Sequence, residues 1–204
     1  MGVRFDAEQN CFVFDFEHDG QNDIIKLTGS GYVVTAFSHC FYYGYEFSEE
    51  IDGSVRSAFI KHVKFTENLR ENPEITHFIQ KAIDDLSKKI NLYDYDLVVM
   101  PESSSKVNQY MVRYIYRFAQ PMLREMELVK ALPEKLSSQN PLSEKEQQLR
   151  DAICQRNVLV IDDIATSGST LNEVLRSLRL LNEDNKITIF SLIGRKDLTF
   201  ESME

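Results

Sequence analysis

The stretch Asn157 to Val174, NVLVIDDIATSGSTLNEV, leaves this chain little choice of architecture. Val158, Leu159, Val160 and Ile161 form an unbroken apolar run rich in β-branched residues, the pattern of a strand buried on both faces. Asp162 and Asp163 end that run with two adjacent carboxylates. Ala165, Thr166, Ser167, Gly168, Ser169 and Thr170 then supply small and hydroxylated residues. Leu171, Val174, Leu175, Leu178 and Leu181 open a helical apolar stripe directly afterwards. The stretch therefore predicts an α/β fold, a mostly parallel sheet with helices on both faces.

The junction has a chemistry of its own. The first N–H groups of a helix lack internal partners and the helix dipole adds partial positive charge, so an anion is favoured there. Gly168 lets the backbone come close to a ligand because no Cβ stands in the way. The hydroxyls of Thr166, Ser167, Ser169 and Thr170 add donors for phosphate oxygens. Asp162 and Asp163 would repel phosphate but accept hydrogen bonds from sugar hydroxyls, or hold Mg2+ directly or through water. A phosphate seat beside a polyol seat suits a sugar 5-phosphate. A plainer reading makes the same residues a helix cap only, with Thr170 and Glu173 as a capping box. Neither G-x-x-x-x-G-K-[ST] nor G-x-G-x-x-G occurs in the chain.

Taken whole, the string resembles the phosphoribosyl-pyrophosphate (PRPP) signature of the type I phosphoribosyltransferases. It has four apolar residues, two acids, two apolar residues and a Thr-Ser-Gly-Ser-Thr loop. The resemblance implies transfer of a 5-phosphoribosyl group from Mg2+-PRPP to an acceptor of nitrogenous type, with pyrophosphate leaving and Mg2+ as cofactor. It implies that Asp162 and Asp163 hold the ribose hydroxyls and help place Mg2+, while residues 165 to 170 hold the 5-phosphate. Where purine-base members of the family carry an Asp that serves the base proton, this chain has Thr166, which argues against a 6-oxopurine acceptor. A non-catalytic PRPP sensor on the same fold is the alternative, because a binding signature does not specify turnover.

A second strand–loop–helix unit precedes the first. Asp96 to Met100 reads as a buried strand, followed by Pro101-Glu102-Ser103-Ser104-Ser105-Lys106 and a helix with Val107, Met111, Tyr114 and Phe118 on one face. The resemblance assigns Ser103, Ser104, Ser105 and Lys106 to the pyrophosphate, with Lys106 a catalytic point cation offsetting the developing charge. A Ser-capped helix with a solvated lysine is the plainer alternative. The loop also lacks the arginine-glycine character seen in some family members.

Glu127 to Leu132 reads as the next strand, and the polar stretch Pro133 to Pro141 occupies the place of the family's catalytic hood loop. Ser143 and Glu146 make a capping box for a helix reaching about Ile153. This order is similar to the competence-protein-F-like branch of the family, although Gln147 and Gln148 stand where basic residues are usual. Lys186 to Ile193 reads as the last core strand, leaving Arg195 and Lys196 at the same sheet edge as the other loops. In a parallel sheet, ligands bind beyond the carboxyl ends of the strands. All these loops thus converge on one edge.

The resemblance covers about residues 75 to 196, so the chain divides into a β-rich region, 1 to 70, and a phosphoribosyltransferase-like core, 71 to 204. The first region predicts strands from Cys11, from Asp23 and from Tyr32, then a short helix within residues 50 to 65 carrying Val55, Phe59 and Val63. It would serve as a substrate hood or an oligomer contact, a homodimer among them. The aromatic run Phe41-Tyr42-Tyr43-Gly44-Tyr45 belongs either to the core or to a dimer surface. Asn72-Pro73-Glu74 starts a further helix, with an N-cap, a tolerated proline and an acid against the dipole.

Composition narrows the partners. A formal net charge of −9 over 204 residues argues against nucleic acid. Three scattered cysteines, without C-x-x-C spacing, suggest neither a disulfide framework nor a zinc site and fit a reducing compartment. No apolar run reaches membrane-spanning length, so a cytoplasmic protein acting on small molecules is expected. His18, His39, His62 and His77 show no ligand spacing and are read as structural or exposed.

Overall fold

The computed structural model describes the chain except for residues 35–39, 49, 65, 67, 68, 70, 71, 102–104, 120–123, 128–140, 142, 154, 155, 182, 183 and 199–204. Strands β1 (Gly2–Asp6), β2 (Cys11–His18), β3 (Gln21–Thr28), β4 (Gly31–Val34) and β5 (Cys40–Phe47) come first. They are followed by helices α1 (Gly53–Lys64) and α2 (Pro73–Ser87), a 3-10 turn (Leu92–Asp94) and strand β6 (Leu97–Met100). Helix α3 (Lys106–Ala119), strand β7 (Arg124–Glu127), helix α4 (Glu144–Ile153), strand β8 (Asn157–Ile164), helix α5 (Ser169–Leu181) and strand β9 (Lys186–Ile193) complete the order.

Among the described residues, nine strands form one sheet, β1-β2-β3-β5-β9-β8-β6-β7, with β4 pairing off this path on β5. The β5-β9-β8-β6-β7 block is parallel throughout, whereas β1 to β5 pair antiparallel among themselves. The fold is therefore mixed α/β, and its parallel half is the one the buried apolar runs predict. Alternation along the strands sorts the core into two layers. Leu159 and Ile161 of β8 join Phe59 and Val63 of α1, the buried face of α2, and Val107, Met111 and Ile115 of α3. Val158 and Val160 join Leu171, Val174, Leu175 and Leu178 of α5 on the other side.

The local signals of the helices hold. The Asn72 side chain accepts the Ile75 N–H at 3.2 Å and so caps α2, with Pro73 in the first turn. Ile75, Ile79, Ile83 and Leu86 are buried. In α3 Val107 and Met111 are buried as expected, but Ile115 completes the core face while Tyr114 is only half-buried.

Two differences concern strands, and the aromatic run takes one of the two places expected for it. β1 carries no apolar run and is fixed by pairing with β2 from Gly2↔Asp15 to Asp6↔Cys11, a long-range cause invisible to local pattern. β7 lies at 124–127, earlier than the run expected at Glu127 to Leu132, whose residues after Glu127 lie outside the described ones. The aromatic run is β5, and Phe41, Tyr43 and Tyr45 are buried in the core.

Gly44 shows why β5 can sit where it does. A Cβ there would meet the Ala82 Cβ of α2 at 2.6 Å and the Leu192 carbonyl oxygen of β9 at 2.9 Å. Next to it, the Tyr45 ring stacks on Phe78 at 4.3 Å and its hydroxyl donates to the Phe78 carbonyl at 2.9 Å. Helix and strand are thus in backbone-close contact with no slack. Gly44→Ala is expected to lower stability by about 2 kcal/mol or more through overpacking, read as a drop in urea midpoint at unchanged slope.

Candidate functional site

Because β6, β8 and β9 are parallel neighbours, the segments leaving their carboxyl ends meet on one edge of the sheet. Their described residues are 101, 105, 106, 165–170 and 194–198. The phosphate-loop candidate leaves β8, the strand between the other two. β8 itself runs through both acids to Ile164, further than the apolar run suggested. Pairing with β9 carries it on, through Asp162↔Ser191 and Ile164↔Ile193, and the two side chains bond the next backbone N–H groups locally. The Asp162 carboxylate accepts the Asp163 N–H at 2.9 Å, and the Asp163 carboxylate accepts the Ile164 N–H at 2.7 Å. Beyond them the Ala165 N–H donates to the Ile193 carbonyl of β9 at 2.9 Å.

Both acids are buried, Asp162 at 7% exposure and Asp163 at 0%. Their surroundings differ. Asp163 follows Leu159 and Ile161 in strand parity, toward the layer of α1 to α3, and there Lys64 Nζ lies 3.0 Å from its Oδ1. Its Oδ2 is buried without a hydrogen bond. Asp162 has the opposite parity. Burial, and then the charge of Asp163, push its pKa up from 3.8 to about 6; Lys64, the Asp163 backbone N–H and the Asn108 amide oppose the rise. Asn108, buried in the first turn of α3, acts there by proximity, since neither of its amide atoms completes a hydrogen bond.

The loop beyond the acids is open to solvent. Thr166, Ser167, Ser169 and Thr170 are exposed, while Ala165 and Gly168 are buried. Gly168 has φ +77°, a left-handed conformation that glycine adopts without strain. The first bond of α5 runs from Asn172 N–H to the Gly168 carbonyl at 2.8 Å, so the N–H groups of Ser169, Thr170 and Leu171 precede the helical ladder. Ser167 Oγ lies 3.0 Å from Ser169 Oγ and 3.4 Å from the Ser169 nitrogen. The helix starts one residue before Thr170, which puts Gly168 at the capping position. Thr170 therefore stands inside the first turn and not at the N-cap that the plainer capping-box reading gives it, and Ser167 Oγ closes on the Ser169 N–H.

Of the residues expected to meet pyrophosphate, Ser103 and Ser104 lie outside the described residues. Ser105 is buried, and Lys106 is exposed as the first residue of α3. Residues 133–140 of the hood-loop candidate are likewise outside. Arg195 is engaged by Asp197, with Nε to Oδ1 at 2.8 Å and a second contact between Nη2 and Oδ2. This pairing lifts the guanidinium pKa further, and the pair itself is exposed.

Lys64 and Asn108 are the site residues that sequence reasoning missed. Nothing local marks Lys64 beyond its place at the basic end of α1, and Asn108 differs from its neighbours only in being polar on an apolar helix face. The latter signal was readable.

The donor set does not fit a Mg2+ ion chelated directly by the acid pair. Asp163 is sealed from solvent and already faces an ammonium, and adjacent strand residues do not converge on one ion. Among the described residues, no three His, Cys, Asp or Glu side chains gather as metal ligands. Nor is any described helix long and apolar enough to cross a membrane.

No protein-family model matches the sequence, and none of the curated proteins does. Solved structures that the chain is similar to include an HGPRT-ase from Leishmania tarentolae in complex with GMP, at TM-score 0.40 and 10% identity, over 65% of this chain and 73% of that one. A xanthine-guanine-hypoxanthine phosphoribosyltransferase from Helicobacter pylori gives TM-score 0.40 and 12% identity, over 64% and 78% of the two chains. A hypoxanthine phosphoribosyltransferase from Staphylococcus aureus gives 0.39 and 16%, over 71% and 76%. Overlap this partial bears on no residue of the site.

The raised pKa of Asp162 has a consequence for stability. Folding lifts it from 3.8 to about 6, so the folded chain holds this proton more tightly than the unfolded one. The resulting stabilisation is complete below the unfolded value and is lost as pH rises through about 6. Asp162→Asn, which keeps the shape and removes the charge, should therefore be more stable than wild type at about pH 7.5 by on the order of 2–3 kcal/mol. The gap should close near pH 4, in denaturant titrations at both values.

Proposed function

We propose that this edge of the sheet binds PRPP and that the protein is a phosphoribosyltransferase acting on a nitrogenous acceptor. The observation that carries the reading is the exposed, hydroxyl-rich turn at 165–170, which opens α5 through a left-handed Gly168 directly behind a buried carboxylate. In this reading the N–H groups at the start of α5 and the hydroxyls of Thr166, Ser167, Ser169 and Thr170 surround the 5-phosphate. Asp162 accepts hydrogen bonds from the ribose hydroxyls, and these hold it in the charged form that burial disfavours. Asp163 sits behind it and sets the field. Ser105 and Lys106 meet the pyrophosphate, where the exposed ammonium of Lys106 offsets charge as the bond breaks.

The reaction breaks the bond between C1 of the ribose and pyrophosphate oxygen. The acceptor nitrogen forms a bond to that carbon and its proton passes to the departing pyrophosphate. Thr166 has no basic group to take the proton, which speaks against a 6-oxopurine. α1 brings Lys64 to Asp163 and, within one turn, Lys61 and His62 to a cleft of about 810 Å³ that His18, Asp19, Ser54 and Ser57 also line.

A PRPP sensor without turnover is the second reading. It is favoured by the ion-paired Asp163 and by Arg195, which Asp197 holds away from any leaving group.

Titration calorimetry with PRPP, with and without Mg2+, tests the shared part. Saturable binding is expected; Asp162→Asn should weaken it at least about tenfold, and Thr170→Asp, which puts a carboxylate into the phosphate seat, should remove it. Absence of binding in the wild-type chain would end both readings. Pyrophosphate release across a panel of bases and amides then separates enzyme from sensor, a blank panel with good binding selecting the sensor.

A further inference from the structure

An acidic pair buried at the end of a strand needs positive charge from somewhere, because two uncompensated carboxylates in a dry setting cost several kcal/mol each. The usual remedies are protonation, a metal ion or a basic side chain. Here the counter-charge belongs to the chain. Lys64 Nζ is 3.0 Å from Asp163 Oδ1, and the two side chains are 34% and 1% exposed. The carboxylate is thus enclosed while the ammonium keeps part of its hydration, which lowers the desolvation penalty of the pair. Lys64 is also the last residue of α1, where the carbonyl end of the helix dipole favours a cation. Phe59 and Val63, buried in the same core layer as Ile161, anchor the end of the helix, so the position of the ammonium is set by packing.

We propose that Lys64 is the resident cation of the acidic pair, its ammonium compensating Asp163 in the place a divalent ion would take, so that the pair offers ligand one free carboxylate, Asp162, and does not chelate a metal. The assignment concerns the same acids as the PRPP reading, but its test contains no PRPP, so each can fail alone. Lys64 is a positioning residue in this scheme. It acts on ligand only through the field at Asp162.

Mn2+ is the probe, titrated calorimetrically into the full chain and into Asp163→Asn, Lys64→Met, Lys64→Arg and the neutral double variant Lys64→Met/Asp163→Asn. Wild type and Asp163→Asn should give the same Mn2+ isotherm. Lys64→Met should bind Mn2+ at least about tenfold more tightly, Lys64→Arg should behave as wild type, and the double variant should lose the gain. A purely structural lysine would lower stability without creating metal affinity. A folded Lys64→Met that titrates as wild type does, or an Asp163→Asn that binds Mn2+ more weakly than wild type, overturns the proposal. Should Lys64→Met not fold, the wild-type chain decides through its thermal midpoint in about 10 mM Mn2+. No rise, or a rise that Asp163→Asn leaves in place, supports the proposal; a rise that Asp163→Asn removes overturns it.

Discussion

Carboxylates at the end of a buried parallel strand are the constraint on which the site depends. β8 lies between β6 and β9 and is covered on both faces, so any acid that continues it leaves water. The chain meets this in two ways within two residues. Asp163 is given a cation at 3.0 Å, while burial and the neighbouring acid push the pKa of Asp162 up to about 6. Identical side chains one position apart therefore have different work open to them, set by strand parity and by what each layer supplies.

Placement of the rest follows from that edge. α5 must start where β8 stops, and the left-handed Gly168 makes the reversal without a long loop. The polar residues of the turn stay outside because the apolar stripe of Leu171, Val174, Leu175 and Leu178 has already claimed the inside of the helix. The helix N-terminus and four exposed hydroxyls are left outside beyond the carboxylates. The PRPP reading takes these as its phosphate seat.

Much of this was legible. The apolar run 158–161, the Asn72-Pro73 start of α2 and the stripe of α5 are local patterns, and local hydrogen bonding and burial produce them directly. What escaped was non-local. β1 is a strand because β2 pairs with it, and the choice of core over dimer surface for β5 is made by β9, which lies alongside it from Cys40↔Thr188 to Tyr45↔Ile193. Register of this kind depends on partners far off in the chain, which periodicity within a segment does not encode. Lys64 escaped for the same reason. A lysine ending a helix is ordinary until another segment brings an acid to it.

The two register pairs between β3 and β5, Leu27↔Phe47 and Thr28↔Glu46, join the β1–β3 hairpins to the rest of the sheet over a short ladder. Rings do most of the joining: Phe12 and Phe14 each meet Phe78 of α2 at 5.1 Å, and Phe14 meets Phe59 of α1 at 5.0 Å. Such an attachment is isotropic rather than indexed. Few backbone bonds therefore tie the hairpins to the parallel half, and the Phe14–Phe59 contact couples them to α1, the helix that ends in Lys64.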